Sequence, residues 1–225
     1  MRFRRDVLIL SLLVFCVAAC SQAAATGEDP EILAAEPPKA EESSGAGSEA
    51  IFTLDPELSK ARFIIGEILA NQPNTVIGVN SQVQGGGVLN FADPALSTLD
   101  EFLIDSSGFV TDSNLRNRAI SRFILQSGRY PVIKYQPTGI DGIPSAITVG
   151  ETVPFGVVGL LTIREITQEV AFTGEATMVA EDRVEGLATA TLLRSDFELT
   201  IPSVPRVAGV DEEVILEIEF VAIAG

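Results

Sequence analysis

The sequence predicts an all-β domain: one sandwich or closed barrel of about eight antiparallel strands, with one amphipathic helix among them. Three observations carry this expectation. From Ile51 onward, apolar residues alternate with polar or small ones. Gly, Pro and Asp punctuate the runs, and a single stretch gives up alternation for helical spacing. Period two with such breaks marks strands that bury one face, and eight of them are enough for one sandwich or barrel.

The elements follow in chain order. Ala61, Phe63 and Ile65 form one face against Arg62, Ile64 and Gly66. Ile77, Val79, Ser81 and Val83 form the next, against Gly78, Asn80 and Gln82. Gly85-Gly86-Gly87 reads as a bulge or turn, because no helix pattern or Lys-Ser/Thr follows it as a phosphate loop requires. Leu115, Ala119, Ile120, Phe123 and Ile124 then take helical spacing. Asp112 is the expected N-cap, and Gly128 before Tyr130-Pro131 the expected stop. Such a helix is placed to cover one barrel mouth. The later strands show inward sets at Val153 to Ile163, Val170 to Met178, Val184 to Leu192 and Val214 to Phe220.

The inward faces mix Phe with Gly and Ala: Phe155 with Gly159, and Phe172 with Gly174 and Ala176. Small inward residues leave room for a ligand, and an eight-stranded barrel can just hold one. The same pattern also fits barrel taper or a closely approaching sheet.

The first fifty residues read differently. Arg2, Arg4 and Arg5 precede an apolar run from Val7 to Val17, which ends in Val17-Ala18-Ala19-Cys20. The run is short for a membrane span, and small residues before a cysteine resemble a bacterial lipobox. Residues 1–19 are therefore expected to be a lipoprotein signal peptide, with Cys20 the lipidated start of the mature chain. The alternative is an ordinary secretory signal cut after Ala19, with Cys20 a free thiol. Residues 20–50 are rich in Ala, Glu, Pro, Ser and Gly, so a disordered tether is expected, with a span on the order of 30 Å. The expected place is the extracytoplasmic side of a bacterial envelope, on the outer membrane where a cell has two. A domain over 51–225 follows.

Composition excludes several function classes. The chain has 31 acidic and 15 basic residues, for a net charge of −16, so no nucleic-acid partner is expected. Histidine is absent, which removes Ser-His and Cys-His nucleophile pairs and every His-ligated metal site. Asp211-Glu212-Glu213 lacks the spaced ligands of a calcium loop and reads as a solvated turn. Glu217 and Glu219 read as the wet face of the last strand. Of Arg116, Arg118 and Arg122 on the helix, at least one is expected to pair with a carboxylate. No metal, cofactor or catalytic residue is expected.

The order of short motifs resembles the YceI-like lipid-binding family. The residues are Phe52-Thr53-Leu54-Asp55-Pro56 with Ser59-Lys60-Ala61-Arg62-Phe63, then Arg116-Asn117 ahead of Ile120 and Ile124-Leu125, and Tyr130-Pro131. Val158-Gly159-Leu160-Leu161-Thr162-Ile163 with Thr167, and Arg194-Ser195-Asp196-Phe197, complete the series. The resemblance spans 51 to 223. Three positions depart from it: Asn117 stands for the usual Asp, Glu165 for Gly, and Glu67 for a common His. The resemblance implies a lipocalin-like antiparallel barrel holding a polyisoprenoid chain, in secreted or periplasmic proteins, some linked to quinone or isoprenoid handling.

The expected function is then a membrane-tethered, non-enzymatic binder of an isoprenoid lipid, polyisoprenoid or quinone-like. The candidate cavity residues are Phe63, Ile65, Val79, Phe123, Phe155, Val157, Phe172 and Phe197. A homodimer is compatible with this reading. The alternative is an envelope structural or interaction module with a packed barrel and no lipid.

Overall fold

The computed structural model describes residues 49–225. The expected signal peptide, Cys20 and most of the expected tether lie outside the described residues. The chain opens with β1 (Glu49–Leu54), which begins ahead of the expected domain start at Ile51, then β2 (Lys60–Leu69) and β3 (Gln72–Asn80). Ala70 and Asn71 join β2 to β3 with φ of 49° and 66°. Positive φ at both turn residues is the type I′ geometry whose twist matches the flanking strands. Four short strands follow: β4 (Val83–Gln84), β5 (Gly86–Asn90), β6 (Thr98–Leu99) and β7 (Phe102–Asp105). Helix α1 (Asn114–Ala119) continues as a π-helical turn, Ile120–Ile124. The long strands come next: β8 (Val132–Asp141), β9 (Thr152–Ile163), β10 (Ile166–Ala180) and β11 (Arg183–Leu193). A 3₁₀ turn at Arg194–Phe197, then β12 (Val207–Val210) and β13 (Glu213–Ala224), end the chain.

All pairings are antiparallel within one curled, half-barrel sheet ordered β4-β7-β8-β9-β10-β11-β13-β1-β5-β6. β2 joins β13 alongside β1, and carries β3 and β12. The stretch Val83 to Asn90 bends at Gly85, so that β4 pairs β7 while β5 pairs β1. One bent strand thereby draws the two ends of the sheet together. Gly85 is required there because a Cβ would press into the Phe102 ring.

The all-β class holds, but the described residues form thirteen strands where about eight are expected. The excess is in pieces of two to five residues, too short to display a period. The long strands follow the expected alternation: Val157, Leu161, Ile163, Val170, Phe172, Met178, Ala188, Ala190, Leu192 and Val214 are all buried.

Two expectations need correction. Val79 does not face inward. Register pairs Phe63 with Gly78 and Ile65 with Val76, so Val76, Gly78 and Asn80 share the inner face while Ile77 is 48% exposed. The phase slips between Asn80 and Val83, where the strand breaks. The helix also starts one residue later than expected: Ser113 is the N-cap, accepting from the Arg116 amide, and Asp112 pairs with the Arg116 side chain instead.

Candidate functional site

Two adjoining cavities lie inside the curled sheet. The first, about 310 Å³, is walled by Phe52, Phe102, Tyr135, Phe155, Phe172 and Phe220 among others. We call it the barrel chamber. Its outer end is covered by the β8–β9 loop, through Ile143, Pro144 and Ile147. The second, about 500 Å³, lies at the other end of β9, beneath α1 and the segment from Leu199 to Val207. We call it the helix chamber. Phe109, Ile133, Ile163 and Leu216 border both. Both volumes fall in the range of small-molecule sites, roughly 300–1,000 Å³.

The barrel chamber is built by pairing inward faces. Val157 lies opposite Phe172, and Ala188 lies between Gly174 and Ile218. Tyr135 crosses beneath, its ring centroid 5.1 Å from that of Phe172 in an edge-on arrangement. Its hydroxyl lies 3.0 Å from the carbonyl oxygens of both Val157 and Val170, and donates to this pair. Burial pushes the Tyr135 phenol up to about 12. The inward glycines do not supply the space. A Cβ on Gly159 would lie 2.7 Å from the Tyr135 ring, and Gly78 and Gly186 are likewise covered by Phe63 and Phe220. The chamber is the volume left between opposed walls after those rings are seated.

The helix chamber has one charged corner. Glu67 follows Ala61, Phe63 and Ile65 on the inner face of β2, and is only 7% exposed. Its Oε1 accepts from Asn74 Nδ2 at 2.8 Å and Arg116 Nη2 at 2.9 Å. Arg116 also pairs with Asp112. Asn117 fixes the loop before the helix: its Oδ1 accepts from the Thr111 amide at 2.8 Å and the Thr111 hydroxyl at 2.7 Å. Arg194, a second cation on the chamber wall, is held by Glu212 and by the carbonyls of Asp211 and Leu199.

The eight expected cavity residues separate in space. Phe155, Val157 and Phe172 line the barrel chamber. Phe63 and Ile65 line the helix chamber, with the Phe63 ring centroid 5.5 Å from that of Phe109. Phe197 is fully buried in solid packing beside the chambers and borders neither. Val79 lies on the outer face. Phe123 is 58% exposed, contrary to its expected place under the helix. A π turn holds more residues per turn than an α turn, so Ile120 and Ile124 face the chamber and Phe123 rotates away.

The sequence marks Glu67 as a departure from the family and expects one of Arg116, Arg118 and Arg122 to pair with a carboxylate, which Arg116 does; it does not single out Tyr135 or Phe109. The alternation of Ala61, Phe63 and Ile65 extends to Glu67, and that of Ile133 extends to Tyr135, so both were accessible. Phe109 sits in a loop with no period to reveal it. Among the described residues, no cluster of three or more metal-ligating side chains occurs, and no helix is long and apolar enough to cross a membrane.

A family model described as a YceI-like domain matches residues 52–222. Solved structures similar to the chain include a polyisoprenoid binding domain from Saccharophagus degradans implicated in plant cell wall breakdown. It is 14% identical with a TM-score of 0.60, covering 77% of this chain and 98% of that one. Burkholderia cenocepacia BcnA is 17% identical with a TM-score of 0.58, covering 75% and 98%. A Campylobacter jejuni YceI protein is 17% identical with a TM-score of 0.52, covering 66% and 84%. At these identities the likeness shows the fold. No curated protein matches the chain.

Proposed function

The chain belongs to the YceI-like domain family, and from that premise we propose that it is a membrane-tethered protein that sequesters or carries an isoprenoid lipid. The observation that carries this reading is the pair of adjoining, mainly apolar chambers running along the strands. A tail would lie against Phe155, Val157 and Phe172 in the barrel chamber and continue past Phe109 and Ile133. The Saccharophagus degradans neighbour is a polyisoprenoid binding domain, which supports the choice of ligand class. The energetics are sufficient without a charged anchor. A micromolar site needs about 8 kcal/mol, and about ten buried methylenes supply that gross amount. A chain of several isoprene units exceeds it and leaves a margin for association costs.

Anchoring rests on Val17-Ala18-Ala19-Cys20. Two or three acyl chains at Cys20 would hold the protein on the extracytoplasmic face of a membrane, which one chain does only marginally. The intervening segment would let the domain approach and leave the surface. Cys20→Ser should move the protein from the membrane fraction to the soluble one; an unchanged membrane fraction removes the anchor from this reading.

The central test is native mass spectrometry of the purified full chain, with solvent extraction of whatever it carries. A bound prenyl lipid is the expected result. A protein that arrives empty, and takes up no prenyl lipid from vesicles supplied with one, would overturn the proposal in favour of a packed envelope module.

A further inference from the structure

Resting on the lipid-binding reading, we infer that the helix chamber selects a lipid whose headgroup is uncharged and donates a hydrogen bond, such as an alcohol, amide or hydroquinone, and rejects phosphate and diphosphate headgroups. The argument starts from Glu67. Its Oε1 is occupied by Asn74 and Arg116, while Oε2 has no protein donor among the described residues, although the residue is buried and lines the chamber. A carboxylate oxygen is an acceptor only. Oε2 is not sealed off and stays open to a partner. A lipid filling the chamber would strip it of water, which is costly unless the ligand itself supplies a donor. A hydroxyl or N–H on the ligand satisfies it through a charge-assisted hydrogen bond.

The cations at the chamber are already committed. Arg116 is shared by Glu67 and Asp112, so two carboxylates divide one guanidinium. Arg194 is held by Glu212 and two backbone carbonyls. These fixed charges sum to −1, from Glu67, Asp112 and Glu212 against Arg116 and Arg194. A diphosphate would have to displace a carboxylate from one of these arginines or sit unpaired beside Glu67 Oε2. Like charges brought together in this way disfavour binding by about tenfold or more. The nearly charge-free barrel chamber offers such a headgroup no better place, since Arg62 at its edge is held by Glu217 and Glu219. Glu67 thus sets specificity against the anionic forms of the same tail.

The test compares farnesol, farnesyl diphosphate and the headless hydrocarbon farnesene on the delipidated full chain, by native mass spectrometry in competition. The wild type should favour farnesol over farnesyl diphosphate by about tenfold or more, as like-charge rejection requires. Glu67→Gln should raise diphosphate binding about tenfold and lower farnesol binding a few-fold. Asp112→Asn, at an exposed position, should raise diphosphate binding by a smaller factor and serves where Glu67→Gln fails to fold. Equal or tighter diphosphate binding by the wild type, or an unchanged ratio in the folded variants, overturns the headgroup assignment. In that case farnesene and farnesol still bind and the lipid reading stands. Binding of none of the three probes overturns the lipid reading itself.

Discussion

In the barrel chamber, the wall comes from long strands whose inward residues were fixed two at a time by cross-strand register. In the helix chamber, the wall comes from strand ends, a short helix and the 199–207 segment, and it includes a buried ion pair. The first space is bounded by aromatic rings seated over glycines, and its wall is apolar apart from a few polar side chains such as Arg62 and Glu151. The second must satisfy a carboxylate and a guanidinium as well as present apolar surface. Regular strands build a uniform apolar wall readily, because one period places every residue. Polar discrimination is concentrated where the period ends and separate elements converge.

The comparison can be broken at its charged corner. Arg116→Ala should produce the largest effect, about 2–4 kcal/mol of lost stability, because it leaves the buried Glu67 carboxylate with only Asn74. Partial exposure of Arg116, 21% for its side chain, keeps the value below that of a fully buried pair. Urea denaturation of the variant against wild type measures it. A loss below about 0.5 kcal/mol, the level of an ordinary surface change, would place the pair in solvent.

The apolar chamber is tested by filling it. Val157→Trp adds a large ring at a buried wall position opposite Phe172. The fold should persist with a cost of about 1–3 kcal/mol, while lipid retention falls. Wild-type retention in a stable variant would remove Val157 from the path of the tail. Tyr135 sharpens the same wall through pH. Its phenol is raised to about 12, so above pH 10 the unfolded chain ionises first and the folded state does not follow. Its contribution is complete below pH 10 and is lost as pH rises through 12, by about 1–2 kcal/mol. Tyr135→Phe should remove that part of the alkaline loss, seen by comparing denaturation midpoints at pH 9 and pH 11.5. Phe123→Ala gives the smallest effect, within about 0.5 kcal/mol, as expected for an exposed ring. A melting curve that shifts by several degrees would return the ring to the chamber.

The parts legible in the sequence are those with a sustained period. β9, β10, β11 and β13 each carry eleven or more residues, and their inward sets follow directly from alternation. Val79 was misplaced because the alternation on either side of Asn80–Gln82 does not share a phase. Phe123 was misplaced because helical spacing assumes an α turn. Phe197 has the composition of a cavity residue but sits in a 3₁₀ turn against solid packing. Gly159 and Gly174 fit either room for a ligand or a close neighbour in the sequence, and in the structure they mark a close neighbour: the Tyr135 ring covers Gly159 and the Leu187 carbonyl approaches Gly174. A glycine reveals that something approaches closely; it does not reveal whether that neighbour is a ligand or the protein.

The π-helical turn at Ile120–Ile124 also has a consequence for how relatives are compared. Such a turn contains one residue more than the α turn it replaces. A relative with an unbroken α-helix would reach the same wall positions with one residue fewer between Ala119 and Gln126. Ungapped alignment would then match its inward side chains to outward ones here, from the turn onward. The surplus position is best assigned near Phe123, whose side chain faces away from the chamber. Deleting that residue is the single-residue edit expected to restore an α turn while leaving Ile120 and Ile124 over the chamber.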